Sequence, residues 1–223
     1  MGGEVNPGQQ RNIRYYLEIG GHIFFPDQTD PARKQNISWT LADGYLPSPI
    51  STWKATDVGI DVSVQIQHFA IGVDALASTL LFSRVTLSNA GTACVDVRLH
   101  VTAPASFYTP LNGTPESSTS DEMVFPMALA PGAASNVDFS SVASGSVPGG
   151  TVAGGFDDNY ASFMTSYANR AAALAQPVTL TNPDHALLFK SAQTTVWESI
   201  VTETGPPVSE QLSGPRASRE AAD

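Results

Sequence analysis

The sequence contains a single cysteine, Cys94, among its 223 residues. No intrachain disulfide can form, so we expect the fold to depend on its hydrophobic core. Basic residues are also scarce, because eleven Lys and Arg stand against 21 Asp and Glu and give a net charge of −10. Nucleic acids and anionic membrane surfaces both require clustered basic side chains, so neither partner is expected.

Long apolar runs are missing as well. None approaches the roughly 18 residues that a membrane-spanning helix needs. The first residues, 1–7, have neither the basic nor the apolar region of a signal peptide. We therefore expect a soluble chain whose compartment stays open, with the cytoplasm as the default.

Motifs of common catalytic and cofactor sites are also lacking. The sequence has no phosphate-binding Gly-rich loop followed by Lys, no His-Glu-x-x-His, no paired cysteines and no Gly-x-Ser-x-Gly. Its four histidines show no metal-ligand spacing on a single element. We expect no metal, no cofactor and no catalytic residue in this chain.

The sequence is rich in alternation of apolar and polar residues. Three runs, 60–67, 81–88 and 95–102, alternate with a period of two, which is typical of strands with one buried face. Short polar connections join them and predict an antiparallel meander of three neighbouring strands. His68 has the parity of the apolar residues before it, so we expect a structural histidine that faces the core.

Strand-like segments recur through the first two thirds of the chain. They lie at 13–19, 22–25, 36–41, 123–129 and 136–142. Gly and Pro are frequent, 18 and 16 residues, and interrupt the chain too often for long helices in this part. We predict a mainly β fold, a large antiparallel β-sandwich at residues 1–155 followed by two α-helices.

Helical periodicity begins at Phe156. Apolar residues recur there at spacings of three and four as far as Leu174, and Asp157 and Asp158 suit the first turn as caps. A linker helix is therefore predicted at 156–181.

A second helix is predicted at 182–205. Asn, Pro and Asp at its start are typical of a helix N-terminus, and its apolar residues cover more than one narrow stripe. Such a helix needs neighbours on two sides, and self-association through residues 187–201 is one expectation. The side chains predicted to pack against a partner are Leu188, Phe189, Ala192, Val196, Trp197 and Ile200. A disordered tail is expected at 206–223.

The order of these segments resembles the N-terminal sandwich domain of bacterial six-hairpin glycosidase-like proteins. The likeness is carried by Leu41-Ala42-Asp43-Gly44-Tyr45-Leu46-Pro47, by Trp53 and by residues 82–89. In that family a large antiparallel sandwich precedes an (α/α)6 barrel, and a linker helix joins the two. The resemblance implies that residues 156–174 are this linker and that 182–205 is the first barrel helix.

The resemblance also implies a non-catalytic function for the chain itself. The family's catalytic acids lie in barrel helices beyond the matched segments, so none carries over to a residue here. The expected function is the N-terminal sandwich region of a glycoside hydrolase-like protein, truncated before its catalytic barrel. Its expected partners are carbohydrate or that missing barrel.

Two alternatives remain open. A stand-alone carbohydrate-binding module would stack sugar rings on exposed aromatic side chains, and Tyr45, Trp53 and Tyr108 are the candidates. Trp53, beside a predicted strand, is more often a core residue. A small hydrolase would need two carboxylates flanking the scissile bond, such as Asp43 and Asp157, but no spacing in the sequence selects a pair.

Overall fold

The computed structural model describes residues 4–5, 13–26, 37–73, 78–103, 108–144 and 154–174. Contacts divide the chain into two compact units. The first comprises Met1–Ala42 and Pro47–Met164, and the second comprises Asp43–Leu46 and Thr165–Asp223. The predicted second helix at 182–205 and the predicted tail at 206–223 lie outside the described residues.

The described chain forms twelve strands, a short 3₁₀ turn at Ala42–Gly44 and one α-helix. The strands are β1 (Glu4–Val5), β2 (Ile13–Ile19), β3 (His22–Phe24), β4 (Ser38–Leu41), β5 (Pro49–Asp57), β6 (Ile60–Val73), β7 (Ser78–Asn89), β8 (Val95–Thr102), β9 (Tyr108–Pro110), β10 (Ser117–Ser118), β11 (Glu122–Leu129) and β12 (Ala134–Ser144). The helix, α1, spans Phe156–Leu174. Residues 175–181 of the predicted linker helix lie outside the described residues.

The strands form two antiparallel sheets. Sheet A has the order β1-β2-β8-β11-β10, with β3 also paired to β2, and sheet B has the order β4-β5-β6-β7-β12-β9. Inward side chains of both sheets form one hydrophobic core. Its larger members are Trp53, Tyr15, Tyr108, Phe125, Phe139, Ile13 and Leu17. The predicted mainly β, antiparallel sandwich is confirmed.

The predicted three-stranded meander is wrong at its third strand. Strands β6 and β7 are neighbours in sheet B, whereas β8 lies in sheet A between β2 and β11. The chain crosses from sheet B to sheet A after Asn89, the last residue of β7. Asn89 is buried, and its Nδ2 donates hydrogen bonds to the carbonyls of Ala93 and Leu129 at 2.8 and 3.0 Å. Its Oδ1 accepts a hydrogen bond from the amide of Gly91 at 2.9 Å. Alternation determines which face of a strand is buried, but it does not determine which sheet the strand joins.

A buried polar cluster connects the two sheets inside the core. The hydroxyls of Tyr15 in sheet A and Tyr108 in sheet B are hydrogen-bonded to each other. His68 is buried on β6, as predicted, and its Nδ1 lies 2.8 Å from the Oγ of Ser83 on β7. Burial raises the pKa of Tyr15 to about 12 and lowers the pKa of His68 to about 3. His68 is therefore a neutral structural residue at neutral pH.

The buried His68 predicts a pH dependence of stability. In the unfolded chain its pKa returns to about 6.5, so the unfolded state binds the extra proton below that pH. The stabilisation from neutral His68 is complete above about pH 6.5 and is lost at about 1.4 kcal/mol per pH unit as the pH falls towards the folded pKa. Urea unfolding of the wild type and His68→Gln at pH 7 and pH 5 measures this, and the variant should lose less stability over that interval. If the imidazole of His68 titrates near pH 6.5 in the folded protein, the prediction is contradicted.

Candidate functional site

Two of the aromatic residues predicted to contact sugar are buried in the core. Trp53 on β5 is 2% exposed and Tyr108 on β9 is 1% exposed. Trp53 shares the inward parity of Ser51 and Ala55, and Tyr108 stacks on Phe139 with their ring centroids 4.7 Å apart. A sugar can stack only on a ring that solvent reaches, so the prediction is wrong for Trp53 and Tyr108.

The third aromatic candidate and the two candidate hydrolytic acids have different surroundings. Tyr45 is half-buried and Asp43 is exposed, and both belong to the second unit. Asp157 is exposed in the first turn of α1, where hydrogen bonds from Arg84 hold its pKa below the usual range. A general acid requires a raised pKa, so this environment disfavours Asp157 as the general acid of a hydrolase.

The first part of helix α1 packs on the outer face of sheet B. Phe69 on β6 and Phe82 on β7 are directly paired, and their rings stack with centroids 5.0 Å apart. The helix contributes Phe156, Tyr160 and Phe163, whose ring centroids lie 5.1, 5.3 and 5.2 Å from that of Phe69. The four phenylalanines are all buried. The apolar face of the helix therefore packs on two phenylalanines that occupy outward positions of the sheet.

A network of ion pairs fixes the start of the helix. Arg84 on β7 donates from Nε and Nη2 to the carboxylate of Asp138 on β12, at 2.7 and 2.9 Å. The same guanidinium donates to Asp157 at 2.7 and 3.0 Å and lies 4.2 Å from the ring centroid of Phe156. The Nδ2 of Asn112 donates a hydrogen bond to Oδ2 of Asp138 at 2.9 Å, and its Oδ1 accepts one from the backbone amide of Asp138 at 2.7 Å. We call Arg84, Asp138, Asp157 and Asn112 the helix anchor.

A second group of ionisable side chains lies on the outer face of sheet A. Tyr16 on β2 stacks on His100 of β8, with ring centroids 4.5 Å apart, and its hydroxyl donates to Glu122 of β11. Nδ1 of His100 lies 3.0 Å from Oε1 of Glu122, and Nε2 lies 3.3 Å from Oε2 of Glu18. The ring of His100 is thereby largely covered, with 13% of its side chain exposed, although its outward position predicts full exposure.

The hydrogen bond between Tyr16 and Glu122 affects the pKa of both groups. Burial, together with that hydrogen bond and the neighbouring carboxylates, raises the pKa of Tyr16 to about 12. The hydrogen bond from Tyr16, with a smaller effect of His100, lowers the pKa of Glu122. Glu122 is therefore held as a carboxylate and is unsuited to act as a general acid near neutral pH.

The same face of sheet A continues into an open cleft of about 520 Å³. Its lining residues are Glu18, Gly20, Gly21, Asp96, Val97, Arg98, Glu116, Pro126, Met127 and Ala128. Arg98 is one of the lining residues, and its Nε lies 2.7 Å from Glu116 and its Nη1 lies 3.3 Å from Glu18. We call this feature the sheet A cleft.

Sequence reasoning missed both groups on sheet A. The register of the strands, not the sequence separation, places Glu18 beside Arg98 and Tyr16 beside His100. The available signal is the set of polar residues at outward positions of three strands, but alternation alone attributes each of them to contact with water. Their assembly depends on β8 lying between β2 and β11, which the alternation does not reveal.

In the part of the chain that the structure describes, no group of three or more His, Cys, Asp and Glu side chains is arranged to hold a metal ion. The described helix is also not long and apolar enough to cross a membrane. Cys94 is exposed as a free thiol.

No family model matches the sequence, and no curated protein matches it either. Functional inference therefore depends on the residues of this chain and on the order of its segments.

Proposed function

We propose that this chain is the non-catalytic sandwich region of a carbohydrate-active, glycoside hydrolase-like protein, in which the sandwich holds the first part of helix α1 in a fixed position. The observation that carries the proposal is the attachment of the first part of α1 to sheet B. Aromatic packing on Phe69 and the helix anchor at Arg84 together fix the N-terminal end of the helix. A rigidly attached helix directly after a large antiparallel sandwich is the arrangement expected of a six-hairpin glycosidase-like linker.

The chemistry of the described acids supports a non-catalytic role. Asp157 is paired with Arg84, Glu122 is hydrogen-bonded by Tyr16 and His100, and Glu18 lies between His100 and Arg98. The lowered pKa values of Asp157 and Glu122 keep these two groups ionised, whereas glycoside hydrolysis needs one protonated carboxyl group.

On this proposal the catalytic groups belong to an (α/α)6 barrel. The segment 182–205 would be its first helix and would pack through Leu188, Phe189 and neighbouring apolar residues. That segment lies outside the described residues, so its packing and any self-association through residues 187–201 remain predictions.

The proposal predicts that the purified chain does not hydrolyse glycosides. We expect no release of p-nitrophenol from a panel of aryl glycosides and no new reducing ends from polysaccharides above the buffer background. The described carboxylates with lowered pKa values lack the proton that the leaving group must receive. The non-catalytic assignment would be contradicted if the wild type hydrolyses a glycoside and Glu122→Gln abolishes that activity without changing the melting temperature of the protein.

A stand-alone carbohydrate-binding module is the second candidate function. Burial of Trp53 and Tyr108 removes two of its three predicted contact residues. The sheet A cleft is the observation in its favour, because it combines an accessible volume with polar side chains.

A further inference from the structure

We infer that the sheet A cleft binds a neutral saccharide, a site that rests on the proposed carbohydrate-related function. Its volume of about 520 Å³ lies within the range of small-molecule sites, roughly 300–1,000 Å³. The site lies on the sheet opposite the one that holds α1, so it is separate from the helix anchor.

The shape of the cleft follows from the β2–β3 hairpin. Gly20 and Gly21 form its turn with φ of 59° and 81°, as the tightest hairpin turns require. Neither has a side chain, and a side chain at either position would project into open space. The turn therefore leaves this side of the cleft open, and Glu116 and outward residues of β11 also line the cleft.

The charges of the cleft favour a neutral ligand. Glu18, Glu116 and Asp96 supply three carboxylates against the single guanidinium of Arg98, so a phosphate or carboxylate ligand would be repelled. A cation is disfavoured because the guanidinium of Arg98 lines the cleft and already pairs with Glu18 and Glu116. Sugar hydroxyls suit this mixture, since each can donate to a carboxylate and accept from a guanidinium.

The polar side chains are held in place before any ligand binds. Glu18 contacts Arg98 through one carboxylate oxygen and His100 through the other, at 3.3 Å in both cases. Arg98 is held between Glu18 and Glu116 but remains 52% exposed. Side chains fixed by such contacts lose little conformational freedom on binding, which favours affinity.

An exposed aromatic ring extends the same face. Phe25 is 52% exposed, and its ring contacts Tyr16 with centroids 4.9 Å apart. Tyr16 pairs with His100, two residues along β8 from Arg98 and therefore about 7 Å away. A ligand longer than one sugar ring can thus contact Arg98 and reach the apolar surface of Phe25.

The test uses the full chain labelled with ¹⁵N and titrated with malto-, cello-, xylo- and chitohexaose. We expect at least one hexasaccharide to shift the amide resonances of Gly20, Gly21 and residues 96–98. Arg98→Met should weaken that binding by about 10-fold or more, because hydrogen bonds to a charged group contribute about 1.5–3 kcal/mol. The matched control is Lys54→Met, which removes a cation of similar exposure from an ion pair with Asp61 on sheet B and should leave the affinity unchanged.

Each other outcome overturns the inference in a distinguishable way. If no hexasaccharide shifts any amide, the cleft is not a saccharide site, while the glycoside turnover assay still decides the proposed non-catalytic function. If a saccharide shifts the amide resonances of other residues and Arg98→Met leaves its affinity unchanged, the sugar binds outside the cleft. The inferred site is then wrong, while a carbohydrate-binding function is retained. If the cationic diamine putrescine shifts the amides of residues 96–98 and no saccharide does, the inference of a neutral ligand is wrong.

Discussion

Replacing Phe69 by alanine is expected to lower the free energy of unfolding by about 3–5 kcal/mol. The ring is 1% exposed and contacts Phe82 on the neighbouring strand together with Phe156, Tyr160 and Phe163 on the helix. Its removal leaves a cavity between the sheet and the helix, in addition to the loss of buried apolar surface. Urea unfolding of the wild type and the variant measures the difference.

The control for this prediction is the same substitution at an exposed ring. Phe25 is 52% exposed on the outer face of sheet A, so Phe25→Ala should cost about 1 kcal/mol or less. Equal losses for the two variants would mean that Phe69 is not the centre of a packed cluster, and the described attachment of the helix would then be wrong.

Replacing Arg84 by methionine should also lower the free energy of unfolding by about 3–5 kcal/mol. The carboxylate of Asp138 is buried, with 6% of its side chain exposed, and loses its charge partner in this variant. The hydrogen bonds from Asn112 remain, but they do not neutralise the charge. Equilibrium unfolding at neutral pH is again the measurement.

Two companion variants separate the contribution of the buried ion pair, Arg84 with Asp138, from that of the exposed ion pair, Arg84 with Asp157. Asp157→Asn should cost only about 0–1 kcal/mol, because the side chain of Asp157 is 80% exposed and its pairing with Arg84 is screened by water. The double variant Arg84→Met/Asp138→Leu should recover much of the stability lost in Arg84→Met, since it leaves no unpaired buried charge. If Asp157→Asn lowers the free energy of unfolding by more than Arg84→Met does, the larger contribution assigned to the buried pair is wrong.

Much of the fold follows directly from local patterns in the sequence. The alternation in 13–19 and 60–67 predicts strands with one buried face, and the apolar spacing after Phe156 predicts a helix that begins there. These features depend on neighbours within a few residues, which the sequence displays. The pairing of β8 in sheet A depends on a crossing at Asn89, and no local pattern marks that choice.

The candidate site was less accessible to sequence reasoning. Phe69 and Phe82 occupy outward positions within β-strands, and only the packing of a distant helix explains why apolar side chains lie there. Glu18, Arg98 and Glu122 come from three strands far apart in sequence, and their grouping requires the sheet register. Trp53 lies beside a predicted strand, where an aromatic residue is more often in the core, and it is in fact buried there.

The central claim, that the sandwich holds the first part of helix α1 in a fixed position, is tested most directly by amide hydrogen exchange at residues 159–164. In the wild type these amides should exchange slowly, and in Phe69→Ala and Arg84→Met they should exchange much faster while amides of β6–β8 stay protected. Rapid exchange at 159–164 in the wild type, equal to that in both variants, would contradict the claim.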